Sequence, residues 1–350
     1  MTDTYLTLNE NAQYYECGFS CDNALLVRVG DMVFFITDSR YTLEARQYCT
    51  KHTQVIESSD FIQSACDVLK SLHVKTIVFN PNELSLSLYE GLKNKLSDIK
   101  CELLAQANFH QKLRVIKSEK EIALIAKSQK LNKKAFKHFG DYISAHLHKK
   151  LNEAELHYRA TQFLSHFGKY ALSFEPIVGI NANAAKPHAL PSKKCVLAKN
   201  DMLLFDAGIK YKRYCSDMTR TAAVHGNNGN INFHKSQKFK NKKHARIYEI
   251  VLKAQERAIS QARSGMSGRE IDALARDVIE KSGYGKYFVH STGHGVGLDI
   301  HELPRISRLS EEIIEDGMVF SIEPGIYLSG EFGVRIEDLV VMKNGRAEIL

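Results

Sequence analysis

The chain has 350 residues and a mass of 39.6 kDa, long enough for two domains with at least one substantial core. Its formal net charge is +8, but the lysines fall in amphipathic runs such as 93–100 and 116–137 that read as solvated helix faces, so no specific nucleic-acid partner is expected. Seven scattered cysteines without a CxxC pair exclude a disulfide framework or zinc ribbon, and no apolar run approaches the roughly 20 residues needed to cross a bilayer; a soluble cytoplasmic protein without a membrane partner is expected.

Two short apolar runs at 23–29 and 31–37 flank Gly30 and predict a hairpin. Strand-like runs at 53–59 and 76–80 flank a helical pattern at 60–72, with Ser59 or Asp60 as its cap. A small mixed α/β domain is expected over 1–115. After a junction at 112–117, Ile122, Leu124, Ile125, Leu131 and Phe136 are interspersed with charge, which predicts a long helix over 118–146 opening a second domain, 116–350. A further helix is predicted over 153–167, capped by Asn152.

Residues 196–224 read as two strands around a polar turn at 210–213, with Asp206 and Asp217 on adjacent strands near that turn. Residues 225–245, rich in Asn, Gly and Lys, predict a surface loop before a helix over 246–262. Its lysines, Lys235, Lys238, Lys240, Lys242 and Lys243, are the alternative, as a contact for a polyanion or partner.

Asp206, Asp217, His294, Glu323 and Glu337 supply four carboxylates and one imidazole across the second half of the chain. Carboxylates suit hard divalent ions, and an imidazole moves the preference toward manganese, cobalt, iron or zinc. Such a set is anionic enough for two cations, which together lower the pKa of a water and stabilise the oxyanion formed by its attack. Composition alone does not assemble the five, because an isolated Asp or Glu in these settings is ordinarily a turn or cap residue. Arg335 stands two residues before Glu337, so an extended strand turns both to one side. Cys215 has the same relation to Asp217 and reads as a packed core thiol or a soft neighbour of the metal chemistry, and not as a nucleophile. Gly293, Gly295 and Gly297 lack phosphate-loop spacing and read as close packing around a strand.

The stretches PIVGINANAAKPHALP, LLFDAGIKYKRYCSDMTRT, YFVHSTGHGVGLDIHELP, MVFSIEPGIYL and GVRIEDLVV run in this order over 174–341. In combination they resemble the "pita-bread" metallopeptidase family, which includes methionine aminopeptidase, Xaa-Pro aminopeptidase and prolidase. The leading stretches TDSRY (37–41) and LRVIKSEKEIALI (113–125) resemble the two-domain Xaa-Pro branch.

The resemblance implies an α+β fold: a pita-bread catalytic domain with a curved antiparallel sheet backed by helices, preceded by a smaller α/β creatinase-like domain. It implies two divalent metal ions, manganese first and cobalt or zinc as substitutes. Asp206 then chelates one metal, Asp217 and Glu337 bridge both, and His294 and Glu323 complete the other shell. A hydroxide shared by the ions attacks the scissile carbonyl, with Glu323 as general base and then proton donor to the leaving nitrogen. His188 and His290 contact substrate, and His301 contacts the intermediate or the substrate carbonyl, unless it is tied to Glu302. Arg335 orients Asp217 or another carboxylate.

The implied substrates are proline-containing peptides, whose scissile tertiary amide needs a pocket for the ring. Phe174, Tyr287, Phe288 and Tyr327 are candidates for its aromatic wall in a chain without tryptophan. Xaa-Pro aminopeptidase activity is the first expectation, prolidase the close alternative, and a non-enzymatic partner-binding relative the third. A homodimer is implied by resemblance alone.

Overall fold

The computed structural model describes residues 4–225 and 230–350. The chain divides into two compact units, Met1–Arg114 and Val115–Leu350.

The first unit contains β1 (Thr4–Thr7), α1 (Glu10–Cys17), β2 (Ala24–Val29), β3 (Met32–Thr37), α2 (Thr42–Tyr48), β4 (Thr53–Glu57), α3 (Phe61–Ser71), β5 (Thr76–Phe79), α4 (Leu86–Asp98), β6 (Glu102–Ala105) and α5 (Phe109–Leu113). Its six strands form one mixed sheet in the order β4-β3-β2-β1-β5-β6. The hairpin predicted around Gly30 is present, with Ala24 opposite Thr37 and Val29 opposite Met32. The uninterrupted apolar run of β2 follows from burial on both faces. Leu25 and Val27 join Phe34, Ile36 and the α3 and α4 residues Leu69 and Leu92, while Leu26 joins Phe35, Cys17 and Ala45. Asp60 caps α3 by accepting from the Gln63 amide at 2.9 Å.

The second unit begins with α6 (Glu119–His146) and α7 (Glu153–Leu164), followed by β7 (Ala171–Leu172), β8 (Ile177–Ile180), β9 (Met202–Ala207), β10 (Ile209–Tyr211), β11 (Tyr214–Cys215) and β12 (Met218–Ala223). Then come α8 (Lys242–Gln261), α9 (Gly268–Lys281), β13 (Gly293–Gly295), β14 (Glu302–Ile306), β15 (Val319–Ile322), β16 (Gly325–Leu328), β17 (Phe332–Arg335), β18 (Asp338–Lys343) and β19 (Arg346–Ile349). Every strand pairing in this unit is antiparallel among the described residues.

Two helix pairs back these strands. Helices α6 and α7 pack Phe136, Phe139, Leu156 and Ala160 on Val178, Leu203, Phe205 and Met218. Helices α8 and α9 pack Val251, Ala254, Ile271 and Ala275 on Phe320, Ile322, Ile326 and Val340. The architecture is therefore α+β, with a larger antiparallel unit preceded by a smaller mixed one, as the resemblance implies. None of the helices is long and apolar enough to cross a membrane among the described residues.

Helix α6 also carries polar groups on its buried face. Ser118 and Glu121 form a capping box that starts the helix. Further along the helix, Ser128, Gln129 and Asn132 donate to the carbonyls of Ile209, Asp217 and Ala207 at 2.8, 2.9 and 2.7 Å. These bonds tie α6 to the backbone where β9 bends into β10 and where β11 gives way to β12.

Three features differ from the sequence expectation. Helix α7 ends at Leu164, because His166 and Phe167 take positive φ ahead of Gly168 and reverse the chain. The pattern read as one hairpin over 196–224 is four strands: β9 pairs with β12 and β10 with β11, with the reversal at Lys212 and Arg213. Asp217 therefore lies just before β12 at a strand break, and not on a strand beside the turn. Helix α8 begins at Lys242, four residues earlier than expected, because Asn241 caps it. Of the loop expected over 225–245, residues 226–229 lie outside the described residues. Two of its lysines have partners: Lys235 meets Asp338 and Lys243 meets Glu331, both at 2.5 Å.

Candidate metal centre

The antiparallel registers bring the five sequence-distant residues to one place. Asp206 lies on β9 and His294 on β13, while Asp217, Glu323 and Glu337 occupy irregular links beside strands. Two backbone bonds stitch the links to neighbouring segments, Glu337 N to Thr219 O on β12 at 3.1 Å and Glu323 N to Thr292 O just before β13 at 2.7 Å. The glycines around His294 allow the approach: a Cβ on Gly293 would stand 1.9 Å from Ser321 O, and one on Gly295 2.1 Å from Leu303 O. Close packing, and no phosphate loop, explains them.

Donor atoms of Asp217, His294 and Glu337 all lie within 4.8 Å of one another. His294 Nε2 also stands 3.3 Å from Glu323 Oε1 and 3.7 Å from Asp217 Oδ2. His294 Nδ1 meets the Gly295 carbonyl at 3.1 Å, so the neutral ring carries its proton there and turns the Nε2 lone pair toward the carboxylates. Burial, with His301 beside it, pushes the His294 imidazole down to about 4, which keeps it neutral. Its ring centroid lies 4.3 Å from that of His301.

The carboxylates are poorly compensated. Asp206 Oδ1, Asp217 Oδ1 and Glu337 Oε1 are buried without a hydrogen-bond partner among the described residues. Burial pushes Asp217 well above the usual carboxylate range, and Glu337, Asp206 and Glu323 add to the shift. Burial does the same to Glu337, with Glu323 and Asp206 contributing. Glu323 is pushed up to about 8 by burial, against the pull of Arg335. Buried carboxylate oxygens converging without hydrogen-bond donors between them is an arrangement that divalent cations relieve, and hard oxygen donors with one imidazole suit such ions. The donor set fits the implied metal.

Arg335 organises the surrounding shell. Its Nη2 donates to Asp206 Oδ2 at 2.6 Å and its Nε to Thr219 Oγ1 at 3.0 Å, and Thr219 in turn donates to Glu337 Oε2 at 2.7 Å. The carboxylate it holds is thus Asp206, one of the two possibilities the sequence left open. Its Nη1 donates to Tyr327 Oη at 2.7 Å. Tyr327 Oη meets His290 Nε2 at 2.9 Å, and His290 Nδ1 meets Ser291 O at 2.7 Å. Burial, with Arg335 nearby, pushes His290 down to about 3, so its neutral ring donates from Nδ1 and accepts from Tyr327 at Nε2.

The remaining histidine candidates stay close to the centre: His301 packs beside His294, and His188 is near enough to His290 and His301 to add to the downward push that burial gives both imidazoles. His188 and His301 are exposed, and Glu302 pairs with Lys117 at 2.6 Å in a buried ion pair. Among the four aromatic candidates, Tyr327 and Phe288 pack at His290, with ring centroids 5.4 and 5.2 Å away. Tyr287 packs instead with Tyr284, and Phe174 is half-buried on the link after β7. Cys215 is buried with its thiol toward Leu298 O, and burial pushes it up to about 11, which fits a core thiol. The supporting roles of Thr219, Gln129 and Asn132 were missed in the sequence. Thr219 carried a signal, as it stands two residues beyond Asp217 in the same short motif.

Residues 123–344 match the model of metallopeptidase family M24, and residues 2–116 match the creatinase/prolidase N-terminal domain. A curated Xaa-Pro dipeptidase of Pyrococcus furiosus is 38% identical over 267 residues, spanning 76% of this chain and 71% of that protein. The solved structure of an Xaa-Pro dipeptidase from Bacillus anthracis is similar with a TM-score of 0.86 and 32% identity, over 99% of this chain and 92% of the other. That of an X-Pro aminopeptidase from Thermotoga maritima has a TM-score of 0.85 and 31% identity, over 99% and 95%. With the donor set intact and both family models matched in order along the sequence, the chain belongs to metallopeptidase family M24, in the branch that carries the creatinase/prolidase N-terminal domain.

Proposed function

We propose that this chain is an Xaa-Pro dipeptidase that uses two divalent cations, manganese first among them. The observation that carries the metal requirement is the convergence of the unpartnered oxygens of Asp206, Asp217 and Glu337 beside the Nε2 lone pair of His294. Asp206, Asp217, His294, Glu323 and Glu337 would hold the ions. When bound, the metal pair lowers the pKa of a water and withdraws charge from the scissile carbonyl.

The chain's own groups do the rest. Glu323, half-buried and bonded through Oε1 to the Ser321 hydroxyl at 3.2 Å, takes the proton of the attacking water on a carboxylate oxygen. It returns that proton to the proline nitrogen, which has none of its own and must gain one as the C–N bond breaks. The exposed His188 and His301 donate to the substrate and to the oxygen that develops charge. His290 has both nitrogens engaged, so it meets the substrate through its ring face and holds Tyr327 in place.

The sequence expectation placed aminopeptidase activity ahead of dipeptidase activity. Relatives named Xaa-Pro dipeptidase favour the reverse order. The aminopeptidase reading stands second, on the similarity to the Thermotoga maritima enzyme. An intact donor set disfavours a purely partner-binding role.

A panel of Xaa-Pro dipeptides, Xaa-Pro-Yaa tripeptides and proline-free controls, run with quantified bound metal, tests the proposal. Manganese-dependent cleavage confined to the dipeptides is expected. Efficient cleavage of the tripeptides would move the assignment to aminopeptidase, and turnover that survives complete metal removal would overturn it.

A further inference from the structure

We propose that Asp272 and Arg276, one turn apart on α9, are positioning residues that fix the segment 288–292, from which His290 and Glu323 take their places. Nothing in the sequence patterns singles them out. Helix α9 is an amphipathic helix started by a Ser267–Glu270 capping box, and its buried face is otherwise apolar, with Ile271, Ala275 and Ile279.

Placing an ion pair on that face costs desolvation, which attraction between the two charges alone seldom offsets. The pair is retained where its remaining hydrogen-bonding capacity is filled, and here the contacts go to one segment. Arg276 forms a fork with Asp272, Nε to Oδ2 at 2.6 Å and Nη2 to Oδ1 at 2.8 Å. The guanidinium also donates to Phe288 O at 3.2 Å and to His290 O at 2.9 Å, and it lies over the Phe288 ring at 4.1 Å. Asp272 Oδ1 accepts from Thr292 N at 3.1 Å and from Thr292 Oγ1 at 2.8 Å.

Phe288, His290 and Thr292 are thereby held from one side at every second residue, as a neighbouring strand would hold them. The segment itself is not a strand. It borders a cleft of about 470 Å³ that Arg276, Ser307 and Leu309 also line, and Val289 points outward with 64% exposure. The clamp therefore supplies the order that sheet pairing supplies elsewhere.

Three consequences lead to the metal centre. Thr292 O receives the Glu323 amide at 2.7 Å, His290 Nε2 receives Tyr327 Oη, and His294 follows Thr292 by two residues. Loosening the clamp displaces a ring and a carboxylate without removing a donor to metal. A misplacement of about 1 Å costs on the order of 100-fold in rate.

The functional half of this inference rests on the peptidase reading, so the experiment has a structural arm that does not. Arg276→Lys keeps the charge but cannot serve Asp272, Phe288 O and His290 O together. Thr292→Val deletes one hydroxyl from a buried site, and Thr292→Ser restores it, which covers the case that the Arg276 variant fails to fold. Nitrogen-15 spectra of histidine-labelled, metal-free protein, with His290 assigned through His290→Gln, report its ring tautomer.

The expected result is loss of the fixed His290 tautomer in Arg276→Lys and Thr292→Val and its return in Thr292→Ser. In the metal-loaded enzyme, kcat/KM falls at least tenfold in the first two at unchanged bound-metal count and recovers in the third. An unchanged His290 signal with wild-type kcat/KM in both would overturn the clamp. A changed His290 signal in a protein that cleaves no peptide of the panel supports the clamp and sinks the peptidase reading instead.

Discussion

Arg335 and Asp206, 129 positions apart in the chain, meet at 2.6 Å with both side chains almost wholly buried. The same guanidinium reaches Thr219 and Tyr327, so one side chain orients a carboxylate, a threonine that serves Glu337, and the tyrosine that fixes His290. Arg335→Lys keeps a charge and loses the planar fork. Metal affinity, measured by calorimetric titration of the metal-free protein, is expected to fall about 10- to 100-fold, the usual cost of removing a ligand's supporting partner. An unchanged affinity would show that Asp206 is held by other means.

Glu323→Gln tests proton transfer apart from ligand shape. The amide keeps one oxygen but cannot take a proton from water. A loss of about 10²- to 10⁴-fold in kcat is expected at saturating metal. Metal analysis on the same samples is the control, because a fall that tracks lost metal would reduce Glu323 to a ligand.

The pH dependence of stability has a definite sign. Asp217, Glu323 and Glu337 hold protons in the folded, metal-free protein at pH values where the unfolded chain has released them. The folded state then binds more protons than the unfolded one, so stability is greatest below the ordinary carboxylate range and is lost as pH rises. For Glu323 the loss runs through about 8. Metal-free protein is expected to melt at a lower temperature at pH 8 than at pH 5.5, and manganese to raise the melting point most at the higher pH. A flat profile for the metal-free protein would contradict the crowding of charge described above.

Asp338, beside Glu337, is buried and receives Arg220 at 2.6 Å, Lys235 at 2.5 Å and Gln255 at 2.8 Å. Arg220 also donates to the carbonyls of Thr219 and Glu337. Asp338→Asn leaves two cations facing a neutral amide. Breaking a buried pair from one side costs about 3–5 kcal/mol, to be read from chemical denaturation at pH 7. A loss below about 1 kcal/mol, the scale of an exposed pair, would mean that the cluster is solvated.

Local pattern and motif carried much of this protein into view. The apolar runs of the β2–β3 hairpin, the cap at Asp60 and the cap at Asn152 depend on neighbouring residues, and all three are present. The five donor residues were legible because each sits in a distinctive short stretch. What failed were boundaries decided by backbone conformation, such as the end of α7 at two residues with positive φ. The hairpin read across 196–224 reverses at Lys212 and Arg213 as expected, but each arm is broken in two for a related reason. Gly208 sits where a Cβ would strike Ser216 O at 1.9 Å, and that crossing sends β10 and β11 out of the sheet of β9 and β12.

Asp272 and Arg276 mark the limit of such reading. In sequence they are an i,i+4 pair of the kind that decorates exposed helices, and only packing against β14 and the 288–292 segment makes them a buried clamp.

The residue order by itself determined which groups are available to bind metal and move protons, because side-chain chemistry and short-range spacing belong to the chain alone. Tertiary structure alone decided that Arg335 serves Asp206, that His290 has both nitrogens engaged, and that Asp217 and Glu337 face each other with unpartnered oxygens. Those relations depend on strand register and burial, which join residues as far as 129 positions apart, where local sequence exerts no force.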